Sequence, residues 1–295
     1  MSLRFALFGH PVQHSMSPAI HAAAYEALGL PHRYELLDLP DEAALAHAVA
    51  AVRRGEIAGA NVTIPWKRAA LSLADHVDPV AASVGAANVL RRDADGRLVA
   101  HNTDIPALSR EVAALVAEPE TAVVLGSGGA SIAAVAALRA LGARVTVSAR
   151  RWTPAVPRAQ WAYAEAFVRL DAELVEWSAH TASVAEPLGR ALRSADVIVQ
   201  GTSAGMHGAD SGAAVAEIVP WRQLRRGAVG YDLVYNPPDT EFVKAAHAAG
   251  VRASHGLGML VGQAALSIEL WLGVLPPLEP LREAAELALS RRRAG

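Results

Sequence analysis

The sequence contains no cysteine. That excludes disulfide frameworks, thiolate nucleophiles, and cysteine-ligated zinc or iron–sulfur centres. Charge of one sign is also lacking: 27 Lys+Arg stand against 29 Asp+Glu, a formal net charge of -2. Nothing in that balance favours nucleic acid or an anionic membrane surface. A secretory signal is not expected, because the apolar start is cut at Gly9 and Pro11 and reads as a strand. The charge-free stretch from Thr121 to Leu138 is long enough to suggest a membrane span, but Gly126, Gly128 and Gly129 divide it. A buried strand, a turn and a buried helix fit it better. The expectation is a soluble, cytoplasmic chain, monomer or homodimer, with no membrane or nucleic-acid partner.

What is present is core-forming material. Of the 295 residues 52% are hydrophobic and 19% charged, which rules out disorder of the whole chain. The length suggests about two domains. Short apolar runs alternate with Ala/Leu-rich stretches, the pattern of βαβ units around a mostly parallel sheet. Strands are expected at Arg4–Phe8, Tyr34–Leu39, Gly59–Thr63, Ala122–Leu125, Arg144–Ser148, Asp196–Val199 and Ala228–Leu233. Asp95-Gly96 marks a hairpin between two more. Helices are expected at Ser17–Leu28, with Ser17 as N-cap ahead of Pro18, and at Asp41–Arg54, Ala130–Leu141, Ala159–Leu170 and Met259–Leu272. Trp152, Trp161, Tyr163 and Phe167 are expected to pack rather than to cover a ligand.

The strongest local signal is Gly126-Ser127-Gly128-Gly129-Ala130-Ser131, which follows a strand and opens a helix. Glycines there let a pyrophosphate approach the backbone, and the helix N-terminus offers free N–H groups and positive dipole. Ser131 stands where a third glycine is usual. At the end of the next strand, where an NAD site carries Asp or Glu, the chain reads Ser148-Ala149-Arg150-Arg151. Arginine suits a 2′-phosphate, so the expected cofactor is NADP.

Further segments lie around this loop: Gly9-His10-Pro11-Val12-Gln13-His14-Ser15-Met16-Ser17-Pro18, Asn61-Val62-Thr63-Ile64-Pro65-Trp66-Lys67, Gly85-Ala86-Ala87-Asn88 with Asn102-Thr103-Asp104, and Asp232-Leu233-Val234-Tyr235-Asn236-Pro237 with Gly256-Leu257-Gly258-Met259-Leu260-Val261-Gly262-Gln263. In this order they resemble the shikimate dehydrogenase family. The resemblance implies reversible, NADPH-dependent reduction of 3-dehydroshikimate to shikimate. It makes Lys67 and Asp104 the catalytic pair for proton transfer. It also assigns the substrate to Ser15, Ser17, Thr63, Lys67, Asn88, Asp104, Tyr235 and Gln263, with the serines on the carboxylate. Thr202, Gly258 and Met259 would join the glycine loop, Arg150 and Arg151 at the cofactor. Asn61 would shape its loop. No metal is implied.

The implied architecture is α/β and two-lobed. Residues 1–106 and 254–295 would form the substrate lobe, and residues 107–253 a Rossmann-type dinucleotide lobe. Val89, Ala107 and Ala149 depart from the family pattern, and the segment 151–189 is long. Relatives accept quinate, use NAD, or take amino-substituted analogues, which leaves those as alternatives. Two more distant ones are a binding-only relative and a Ser-His-Asp hydrolase, since Gly201-Thr202-Ser203-Ala204-Gly205 satisfies a nucleophile-elbow pattern without the helix it requires.

Overall fold

The computed structural model describes residues 1–178 and 186–294. The chain divides into two compact units, Met1–Ala107 with Leu260–Gly295, and Leu108–Met259. Residues 179–185, within the long segment noted above, lie outside the described residues.

The first unit holds strands β1 (Arg4–Gly9), β2 (Arg33–Asp38), β3 (Gly59–Val62), β4 (His76–Val77), β5 (Val89–Arg92) and β6 (Leu98–His101). Their order in the sheet is β2-β1-β3-β5-β6-β4. β1 runs parallel to β2 and β3, while β5 is antiparallel to both neighbours. β1 is buried from Phe5 to Gly9, as its continuous apolar run demands of a strand covered on both faces. On one face Leu45, Val49 and Val52 of the helix Glu42–Arg53 join Phe8, Ala60 and Leu90 in a single core. On the other, Trp271 of the helix Leu257–Leu272 stacks on Phe5 at 4.7 Å and donates its indole N–H to the Leu90 carbonyl at 3.2 Å. A Cβ on Gly59 would lie 2.4 Å from that ring, so glycine is what lets the tryptophan seat. The last helix, Leu278–Ala294, packs on the helix Ser17–Ala27. The C-terminal end of the chain thereby completes the unit that the N-terminal third begins.

The second unit holds β7 (Thr121–Leu125), β8 (Arg144–Ser148), β9 (Glu173–Leu174), β10 (Val197–Gln200), β11 (Val229–Asp232) and β12 (Arg252–His255). All pairings are parallel, in the order β12-β11-β10-β7-β8-β9. The chain leaves β7 toward β8 on one side and returns to β10 on the other. The direction of winding therefore switches between β7 and β10. In such sheets ligands bind outside the carboxyl ends of the strands at that switch.

Two expectations are corrected and one helix is added. Ser17 is not the N-cap of its helix; Met16 takes that position without a side-chain bond. The Ser17 N–H is accepted instead by Ser15 Oγ at 3.2 Å. The single helix expected over Ala159–Leu170 is a short 3₁₀ turn, Arg158–Gln160, and a helix, Ala164–Arg169. Tyr163 between them takes φ 61°, a left-handed conformation that no helix interior accommodates. A further helix, Asp104–Leu115, carries Pro106 in its first turn. Proline is tolerated in a first turn, where its missing N–H has no helical partner to lose. The expected packing role of the aromatics holds for Trp152 and Trp161, which stack in parallel at 4.9 Å and are buried, with Phe167 edge-on to Trp152.

Candidate active site

Lys67 is the first residue of the helix Lys67–Ser72, and its carbonyl accepts the Ala87 N–H at 2.9 Å. Asp104 opens the helix Asp104–Leu115. The capping of that helix falls to Asn102, whose Oδ1 accepts the N–H groups of Asp104 and Ile105 at 3.1 and 3.4 Å. The Asp104 carboxylate is thereby left for other work. Its Oδ2 meets Lys67 Nζ at 2.6 Å and its Oδ1 accepts Asn88 Nδ2 at 2.8 Å. Asn88 is buried and is locked by Thr103, which donates its N–H to Asn88 Oδ1 at 2.7 Å. The lysine keeps 31% of its side chain accessible and the aspartate 13%. The pair is rooted in the interior yet reachable, and two of the three ammonium N–H groups remain for a substrate oxygen.

The other expected substrate residues divide between the two units. Ser15 Oγ and Ser17 Oγ are 3.1 Å apart. Thr63 packs over Gly9 at the start of the serine loop, where a Cβ would lie 2.4 Å from its methyl. Gln263 donates its amide to the Leu260 carbonyl at 2.9 Å. All of these share the first unit with Lys67, Asn88 and Asp104. Tyr235 lies in the second unit, half-buried beyond β11. Asn61 is 5% exposed and bonded inside the fold to Tyr34 and Ser267, consistent with a structural role.

One buried neighbour of this site titrates unusually. Burial pushes His21 down to about 3, partly offset by the Asn61 side chain. A lowered histidine pKa means the unfolded chain takes a proton below about 6.5 while the fold does not until about 3. Stability is therefore present at pH 7 and lost as pH falls through that window. At pH 5 the loss amounts to about 2 kcal/mol. His21→Phe keeps a ring and removes the proton. Urea unfolding at both pH values should show a pH 7-to-5 loss smaller by about that amount, and an unchanged loss would refute the assignment.

The glycine loop sits at the switch point of the second sheet. Gly201 N–H bonds the Leu125 carbonyl and Gly126 N–H the Ser148 carbonyl, both at 2.8 Å. Ser131, fully buried, donates to the Gly201 carbonyl at 3.0 Å. A Cβ on Gly201 would stand 2.5 Å from Ser131 Oγ, so serine fits the usual third-glycine position because glycine faces it. Gly201→Ala is expected to cost roughly 1–3 kcal/mol of unfolding free energy through overpacking, with weaker NADP binding; unchanged values of both would contradict this packing. Gly128 and Gly129 are exposed with open space above them, and Gly128 caps the helix Gly129–Ala140 without any side-chain bond. Ser127 is half-buried beside them and Ala130 is exposed. The free N–H groups of this helix N-terminus are what a pyrophosphate requires.

Arg150 lies just beyond β8, where its guanidinium bonds Asp210 at 2.8 Å and holds that carboxyl below its usual range. Arg151 beside it is exposed. Thr202 Oγ1 accepts the Ala204 N–H at 3.1 Å. Gly258 is buried so close to Glu111 that a Cβ would overlap its carboxylate, and Met259 follows half-buried. The residues present fit a dinucleotide with a 2′-phosphate.

Ser203 does not head a nucleophile elbow, since bends and turns follow it until the helix begins at Ala213. Asp232 is also committed elsewhere: its two oxygens accept the Val234 N–H at 2.9 Å and the Thr240 hydroxyl at 2.6 Å. Burial raises its pKa to about 6. Among the described residues no three His, Asp or Glu side chains are grouped to hold a metal, and no helix is long and apolar enough to cross a membrane. Sequence reasoning gave no role to Tyr34, Thr103, Gly201, Asp210 or Ser267. Thr103 and Gly201 lay inside quoted motifs; for the others only the folded chain supplies the signal.

A parallel sheet with a glycine loop at its switch point, together with a lysine–aspartate pair able to move a proton, defines a dinucleotide-dependent oxidoreductase. Comparison with known proteins specifies it. Residues 7–90 match the shikimate dehydrogenase substrate binding domain, and residues 256–286 the shikimate 5′-dehydrogenase C-terminal domain. Shikimate dehydrogenase (NADP(+)) of Thermus thermophilus is 40% identical over 288 residues, covering 97% of this chain and 99% of the relative. A crystal structure of the shikimate 5-dehydrogenase of that species in complex with NADP(H) and shikimate superposes with TM-score 0.81 at 37% identity, over 97% of this chain and 100% of the other. The quinate dehydrogenase of Corynebacterium glutamicum in complex with NAD has TM-score 0.79 at 28% identity, over 96% and 98%. The chain belongs to the shikimate dehydrogenase family.

Proposed function

We propose that the chain reversibly reduces 3-dehydroshikimate to shikimate with NADPH, its first unit taking the substrate and its second the cofactor. The observation that carries this reading is the 2.6 Å contact between Lys67 and Asp104. When bound, NADPH supplies the hydride to the ketone carbon. The chain must then supply a proton to the oxygen as it gains charge. Lys67 donates it, and takes it back in the oxidative direction. Asp104 keeps the ammonium aimed and accepts a hydrogen bond from a ring hydroxyl. Asn88, anchored by Thr103, fixes the aspartate and reads a second hydroxyl. Ser15 and Ser17 receive the carboxylate, and Thr63 and Gln263 complete the ring contacts.

The second unit meets the cofactor through backbone N–H groups of Ser127, Gly128, Gly129 and Ala130 at the pyrophosphate, with Gly126 making the turn. Arg150 and Arg151 would hold the 2′-phosphate, and Thr202, Gly258 and Met259 would serve the nicotinamide side. Arg150 favours NADP over NAD, and it is paired with Asp210. Absorbance of reduced cofactor, followed with shikimate and NADP, tests the reading. Steady production of NADPH is expected, and its absence at any substrate concentration would overturn it.

A further inference from the structure

Tyr34 lies in β2 of the first unit. Its ring stacks on His21 at 3.8 Å, nearly parallel. Its hydroxyl donates to Asn61 Oδ1 at 2.8 Å, and the Ser17 side chain flanks the same hydroxyl. Asn61 spends its amide protons on Ser267 Oγ at 2.8 Å and the Asn88 carbonyl at 3.3 Å. Ser267 in turn faces Thr103 Oγ1 at 3.4 Å and donates to the Gln263 carbonyl at 2.7 Å. Thr103 and Asn88 then lead to Asp104.

Both N–H groups of the Asn61 side chain are thus taken, and its oxygen accepts from the Tyr34 hydroxyl with the His21 ring alongside. A buried amide that loses such a donor keeps an unsatisfied oxygen or flips. A flip would turn N–H groups away from the Asn88 carbonyl. We propose that Tyr34 is a positioning residue of the substrate site, its hydroxyl joining Ser17 to Asn61 and so tying the carboxylate end of the site to the Asn88–Asp104 end. The inference rests on the functional reading above. It adds that the spacing of the two ends is set by a hydrogen-bonded chain that runs through a residue with no substrate contact of its own.

Tyr34→Phe in the full chain removes the hydroxyl and keeps the ring stack. KM for shikimate is expected to rise about tenfold with kcat changed less than about threefold and KM for NADP unchanged, the pattern of lost ground-state positioning. Shikimate methyl ester is the second probe. The preference for the acid over the ester should shrink by a similar factor, because the carboxylate seat is what loosens. A variant that melts at a lower temperature but keeps the wild-type KM and acid-to-ester ratio would show a purely structural hydroxyl and overturn the proposal. Should Tyr34→Phe not fold, Ser267→Ala breaks the same chain one link further on and is judged by the same criteria. Wild-type enzyme inactive on shikimate with NADP would instead overturn the functional reading, and this inference with it.

Discussion

Lys67→Ala is expected to lower kcat for shikimate oxidation by roughly a hundred- to ten-thousand-fold, the usual range for a positioned acid–base group. KM for shikimate should move far less, because proton transfer is an interaction of the transition state. The structure sharpens this beyond a motif match. Asp104 is held by Asn88 on one oxygen and by Lys67 on the other, so deletion of the lysine leaves the aspartate in place. The substrate seat survives and the proton donor does not. Lys67→Arg restores charge but places a planar, far weaker acid there, and kcat should stay low. An alanine variant with wild-type kcat would remove Lys67 from the chemistry.

Arg150→Ala should raise KM for NADP roughly 10- to 100-fold and change KM for NAD little. Hydrogen bonds to a charged group are worth about 1.5–3 kcal/mol, and only NADP carries the 2′-phosphate. Arg150 is paired with Asp210 at 2.8 Å. Both side chains are well exposed, so their pairing adds little to stability. The variant should therefore melt near the wild-type temperature. Equal losses for both cofactors would show that Arg150 does not read the phosphate.

The two sites were legible in the sequence to different depths. The glycine loop announced itself because strand, turn and helix N-terminus are contiguous, and their function needs only backbone groups. What makes room for Ser131 in place of a glycine was not legible, since that space is provided by Gly201, 70 residues away. The Lys67–Asp104 pair was available only through resemblance, because 37 residues separate two ordinary charges that the fold brings together. Short helices such as Lys67–Ser72 and Pro79–Val84 span under two turns, too little for a hydrophobic period to register. Sheet order was equally hidden: β5 enters antiparallel between β3 and β6 through pairings that no local pattern encodes. Tyr34 looks like any strand aromatic until its partners Asn61 and Ser267 are seen around it.

The central claim is a substrate and a cofactor, and one comparison addresses both: kcat/KM for shikimate and for quinate, each with NADP and with NAD. The account predicts that shikimate with NADP exceeds every other combination by about tenfold or more, a difference of at least about 1.4 kcal/mol in transition-state binding. Equal or greater kcat/KM for quinate with NAD would contradict it.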